Sequence, residues 1–114
     1  MANALEKRRT AKRSSSPSRA AIVAKLKAHA SELRSRGGTS LALFGSRARG
    51  DERTDSDLDV LISYDPSRPF TLVHLVSVEH LIEDLTGLEV HVATRDGFKT
   101  HRLQRVLREA VDVL

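Results

Sequence analysis

Residues 43 to 62 read LFGSRARGDERTDSDLDVLI, two apolar segments joined by a polar, arginine-rich connection. Leu58, Val60 and Ile62 alternate with Asp57, Asp59 and Leu61, the period of a strand whose faces differ. Asp57 and Asp59 then share a face, where two carboxylates repel one another unless a cation stands between them. Hard oxygen ligands of this kind suit Mg²⁺ or Mn²⁺. Gly45 closes the preceding strand, Thr39 to Phe44, and its missing side chain lets a ligand reach the backbone. Ser46 adds a hydroxyl and an amide that can donate to a phosphate oxygen, and Arg47 and Arg49 add positive charge. Each half alone is compatible with a turn or a strand edge. Together, with Asp57 twelve residues after Gly45, they predict a nucleoside triphosphate site. Gly45, Ser46, Arg47 and Arg49 would hold the phosphates, and a metal would bridge them to Asp57 and Asp59.

The flanking elements follow from periodicity. Ser16 and Pro17 suit a helix start, and Ile22, Val23, Leu26, Ala30 and Leu33 share a helical face until Gly37-Gly38. Gly45 to Thr54 reads as a loop with room for a helical turn. Tyr64-Asp65-Pro66 ends the second strand. Leu72 to Leu85 has helical spacing and is followed by Thr86-Gly87. Leu88 to Thr94 reads as a third strand, with Glu89 and His91 opposite Val90 and Val92, and Arg95-Asp96-Gly97 as a turn. Leu103, Val106, Leu107, Ala110, Val111 and Leu114 predict a last amphipathic helix. The order helix, strand, strand, helix, strand, helix predicts an α/β (α+β) domain with a small mixed sheet flanked by helices.

At 114 residues the chain fits one domain, and 39% hydrophobic with 30% charged residues excludes wholesale disorder. The absence of cysteine excludes disulfides and thiolate metal sites. No apolar run suits a membrane span and the first residues lack a secretory core, so a soluble cytoplasmic protein is expected. Of the net charge of +4, residues 1–19 contribute +5 (six Lys/Arg against Glu6), leaving −1 for the rest. Residues 1–16 are therefore read as a flexible basic tail and 17–114 as the domain. Only the tail offers a nucleic-acid contact, and no aromatic residue interleaves with its charges.

The stretch FGSRARGDERTDSDLDVLI resembles the signature of minimal nucleotidyltransferases of the DNA polymerase β superfamily: Gly-Ser, then Ala-Arg-Gly, then Ser-Asp-x-Asp on the next strand. A looser likeness runs from Leu26 to Leu114 and includes LREAV near the C-terminus. The resemblance implies the polymerase β-like fold. It also implies Gly45-Ser46 as a phosphate-binding pair, Asp57 and Asp59 as metal ligands, and transfer of a nucleoside monophosphate to a hydroxyl. Members of this size are often antitoxins of HEPN-type toxins, so an ATP-using adenylyltransferase with a protein hydroxyl as acceptor is expected. A non-catalytic docking protein and a transferase acting on RNA or a small molecule are the alternatives.

The chain departs from the family pattern at one position. A later strand usually supplies a third carboxylate, and here His91 stands in its place within VHVAT. His91 as general base, Glu89 as a substitute about 6–7 Å along the strand, or lost chemistry with retained nucleotide binding are the three readings.

Overall fold

The computed structural model describes residues 17–53 and 55–114. The basic tail, 1–16, and the helix-start reading of Ser16 lie outside the described residues. The chain enters through α1 (Arg19–Ala28), capped by Ser18, whose Oγ accepts the Ala21 N–H at 3.1 Å. At His29 the backbone leaves helical geometry (φ −111°, ψ 25°), and its ring nitrogen approaches the Lys25 carbonyl at 3.0 Å. The helix predicted as one piece is therefore two, and α2 (Ala30–Ser35) follows. Ile22 and Leu26 from α1 and Leu33 from α2 are all buried.

β1 (Gly38–Phe44) leads into a helical turn, α3 (Ser46–Arg49), and across the connection to β2 (Leu58–Tyr64). α4 (Leu72–Thr86) ends at Gly87, whose φ of 71° is the left-handed cap that favours glycine. β3 (Val90–Thr94), a short 3₁₀ turn (Arg95–Gly97) and α5 (Thr100–Glu109) complete the predicted set. The expectation for the end of the chain is corrected. α5 stops at Glu109, and Val111–Asp112 form a short strand, β4. Ala110 is already extended (φ −66°, ψ 141°), Leu43 pairs with Val111, and the Val113 N–H donates to the Leu41 carbonyl at 2.8 Å. β1 has an open edge, and two β-branched valines flanking Asp112 satisfy it while burying Val113.

The sheet runs β3-β2-β1-β4, with β2 parallel to β3 and the other two pairs antiparallel, so it is mixed as expected. α4 is the crossover that parallel pairing requires. One face carries Leu41, Leu43, Leu58, Val60, Ile62 and Val90 against α1, α2 and the Val78, Leu81 and Ile82 side of α4. The opposite face carries Asp59 and His91 together with the buried Ala42 and Leu61. Phe44, Asp59 and His91 lie in one row across β1, β2 and β3. Phe98 meets Phe44 edge-on at 5.8 Å, and the Arg102 guanidinium sits 5.7 Å from the Phe98 ring centroid, which ties the start of α5 to this face. Among the described residues no helix is long and apolar enough to cross a membrane.

Candidate functional site

Gly45 is where β1 turns into α3. Its φ of 75° and ψ of −158° belong to a region that only glycine occupies readily. A Cβ added there would fall on the Asp59 carboxylate. The glycine is thus required twice, by backbone conformation and by the approach of Asp59. Ser46 opens α3 directly after it, and Gly50, at φ 83°, ends the turn.

The two loop arginines part ways. Arg49 is exposed; its Nε donates to Asp51 at 3.2 Å and its Nη1 to Glu109 at 3.2 and 3.3 Å. Arg47, expected at the phosphates, is buried with 1% exposure. Its Nε donates to the Ser56 carbonyl at 3.0 Å, and its two terminal nitrogens reach the Pro17 and Arg53 carbonyls at 3.5 Å. Arg47 therefore fastens the connection between β1 and β2 to the chain entry, and so keeps Gly45 facing Asp59. Arg19, which donates to the Ala48 carbonyl at 2.6 Å, anchors the same turn. Arg47→Met should cost about 2–4 kcal/mol in urea unfolding, since it leaves three partly buried carbonyls without their charged donor.

Asp57, just before β2, and Asp59, within it, face the same side, as the alternation predicted. His91 stands beside Asp59 across the parallel ladder, and its Nε2 lies 2.7 Å from Asp57 Oδ2. The hydrogen bond to Asp57 raises the His91 pKa; burial opposes this, and the charges of Asp57, Asp59 and Glu89 add to it. Asp59 is raised above the ordinary carboxylate range, first by burial and also by Asp57, while His91 and Arg49 pull the other way. Glu89, one backbone step removed, swings in: donor atoms of Asp57, Glu89 and His91 lie within 4.8 Å of one another. A divalent cation fits this donor set. Two half-exposed carboxylates on one face, one of them held partly out of water against a glycine, favour a cation beyond the partial compensation that His91 and Arg49 give.

Glu109 was not singled out from the sequence. Its Oε1 accepts from the Gly45 N–H at 3.4 Å as well as from Arg49. Its carboxylate thus rests on the Gly45 amide and the Arg49 guanidinium, groups of two residues that the sequence assigned to phosphate. The signal was the LREAV segment, whose glutamate ends α5. Between α5 and the sheet lies a cleft of about 500 Å³ bordered by Phe44, Gly45, Arg49, Asp59, His101, Arg102, Arg105, Val106 and Glu109. A larger hollow of about 670 Å³ lies at the other end of the strands, beside Gly38 and Tyr64. There Tyr64 and Phe70 stack at 4.7 Å, and none of the acidic site residues lines it.

Residues 24–113 match the family model described as "Nucleotidyltransferase domain". The protein adenylyltransferase MntA of Thermococcus cleftensis is 37% identical over 91 residues, covering 77% of this chain and 88% of that relative. A solved structure provisionally described as a minimal nucleotidyltransferase superposes with a TM-score of 0.71 at 32% identity, covering 82% of this chain and 94% of its own. A chain in the solved complex of a tri-AMPylated Shewanella oneidensis HEPN toxin with MNT antitoxin superposes at 0.54 and 13% identity, a likeness of fold, over 77% of this chain and 68% of that one.

Proposed function

The chain belongs to the nucleotidyltransferase-domain family, and from that premise we propose that it is a metal-dependent protein adenylyltransferase. It moves AMP from ATP to a hydroxyl of a HEPN-type toxin and serves as that toxin's antitoxin. The name of the Thermococcus relative supports the adenylyl group and the protein acceptor. The fold shared with a chain of the Shewanella HEPN toxin–MNT antitoxin complex supports the partner. The observation that carries the reading is the approach of Asp59 to Gly45, which puts a carboxylate beside a backbone stretch kept free of any Cβ.

In the reaction the acceptor oxygen bonds to the α-phosphorus, the bond to the bridging oxygen of pyrophosphate breaks, and the acceptor proton passes to a carboxylate of the site. Gly45 and Ser46 orient the phosphates, with Arg49 beside them. Asp57 and Asp59 would hold Mg²⁺ or Mn²⁺, which when bound supplies charge neutralisation and activates the attacking oxygen. A phosphate bound at the Gly45 amide would require Glu109 to release it.

Titration calorimetry of ATP with Mg²⁺ tests this, together with transfer of labelled AMP to the toxin partner. Binding that depends on the metal and is lost in Asp57→Asn, with label appearing on the partner, is the expected result. His91 in place of a third acid favours one other reading, neutralisation by docking alone. That reading predicts stable association with the toxin and no label. Absence of both association and transfer defeats the antitoxin assignment.

A further inference from the structure

The metal side of the site is not built from oxygen alone. Asp57, Glu89 and His91 each offer one donor atom, and the three atoms lie within 4.8 Å of one another. The parallel ladder brings them together. Asp59 pairs with His91 and Leu58 with Val90, so Asp57 and Glu89 meet one step further along the same face. Asp59 is tucked against Gly45 and stays on the phosphate side. Asp57 is thus placed between an oxygen-only half and a half that contains an imidazole.

We propose that Asp57, Glu89 and His91 form a mixed nitrogen–oxygen site that selects Mn²⁺ over Mg²⁺. Mg²⁺ demands a near-ideal octahedron and gives up water reluctantly; Mn²⁺ shares its preference for carboxylate, and as a first-row transition ion it gains more than Mg²⁺ from an imidazole nitrogen in the set. Neighbouring ligands of an octahedral ion stand about 3 Å apart. The Asp57 Oδ2 to His91 Nε2 distance of 2.7 Å therefore has to open only slightly, and both side chains are free to do so, with exposures of 41% and 58%. His91 Nε2 is the atom that now donates its hydrogen to Asp57, so an entering ion displaces that proton and takes over the contact without repacking the sheet.

The inference rests on the metal half of the proposed function, and the full-length chain with Mn²⁺ alone tests it. The electron paramagnetic resonance signal of free Mn²⁺ gives the affinity, Mg²⁺ competition gives the ratio, and pulsed spectra report nitrogen coupling to bound Mn²⁺. Wild type should bind Mn²⁺ at least about tenfold more tightly than Mg²⁺, with imidazole coupling. His91→Asp should abolish the coupling and bring the two ions within about threefold, mainly by tightening Mg²⁺. Glu89→Gln should weaken both ions and keep the coupling. Mn²⁺ bound without nitrogen coupling, or a ratio unchanged in His91→Asp, overturns the proposal. Nitrogen-coupled Mn²⁺ with no ATP binding under either ion defeats the nucleotide reading alone. ATP binding supported equally by both ions, with no coupling, defeats this inference alone.

Discussion

Gly45→Ala should abolish measurable ATP binding and lower AMP transfer by at least about a thousandfold, the equivalent of some 4 kcal/mol. The substitution demands φ 75° and ψ −158° of a residue with a Cβ, which costs about 1–3 kcal/mol. It also drives that Cβ onto the Asp59 carboxylate. The strain has two ways to relax. Either the turn rotates and withdraws the Gly45 amide from the phosphates, or Asp59 swings away and leaves the metal. Both disable the site, which is why the functional loss should exceed the loss in unfolding free energy. Urea unfolding with calorimetry on the same preparation separates the two quantities. An alanine variant with wild-type ATP affinity would remove Gly45 from the phosphate site.

Asp59→Asn should cut transfer about a thousandfold, since it withdraws a charged ligand that a metal worth several kcal/mol depends on. Its effect on the metal-free fold should have the opposite sign. Burial raises the Asp59 pKa, so ionising it is harder in the fold than in the unfolded chain. The stability linked to its neutral form is therefore fully present below the unfolded pKa and lost as pH rises through the folded one. Above the folded value the wild type has lost it, and asparagine, which never ionises, has not. Thermal unfolding without metal should find Asp59→Asn at least as stable as wild type at pH 7, with the difference closing on acidification. A variant that is both inactive and unstable at pH 7 would mean that Asp59 supports the fold through contacts of its own.

How much of this was legible in the sequence varied residue by residue. Gly45, Asp57 and Asp59 could be placed because a strand alternates strictly and a glycine at its end has few uses. The period of two that put Asp57 and Asp59 on one face also put Glu89 and His91 on one face, and both pairs meet across β2 and β3. Arg47 and Arg49 could not be told apart. They lie two residues apart on a four-residue helix, and which of them turns inward depends on the carbonyls of Pro17, Arg53 and Ser56. Glu109 sits 64 residues from the amide it accepts, a contact without local signature. The end of the chain was misread because Val106, Ala110, Val111 and Leu114 also satisfy a helical period. That Val111 and Val113 serve a strand follows from the unpaired edge of β1, a property of the assembled sheet. His29 interrupts a helix whose apolar spacing gave no warning.

The α4 crossover has a consequence in time. β1 and β2 pair antiparallel across a modest loop, whereas β3 meets β2 only across the longer α4 crossover, a costlier closure in chain entropy that should delay it. Asp57 and Asp59 can thus be aligned while His91 and Glu89 are still absent. During refolding the cation-binding signal should rise after the early hairpin and together with the last tertiary packing. A partly folded copy with only the hairpin formed would hold Asp57 and Asp59 but lack the half of the cation site that contains the imidazole.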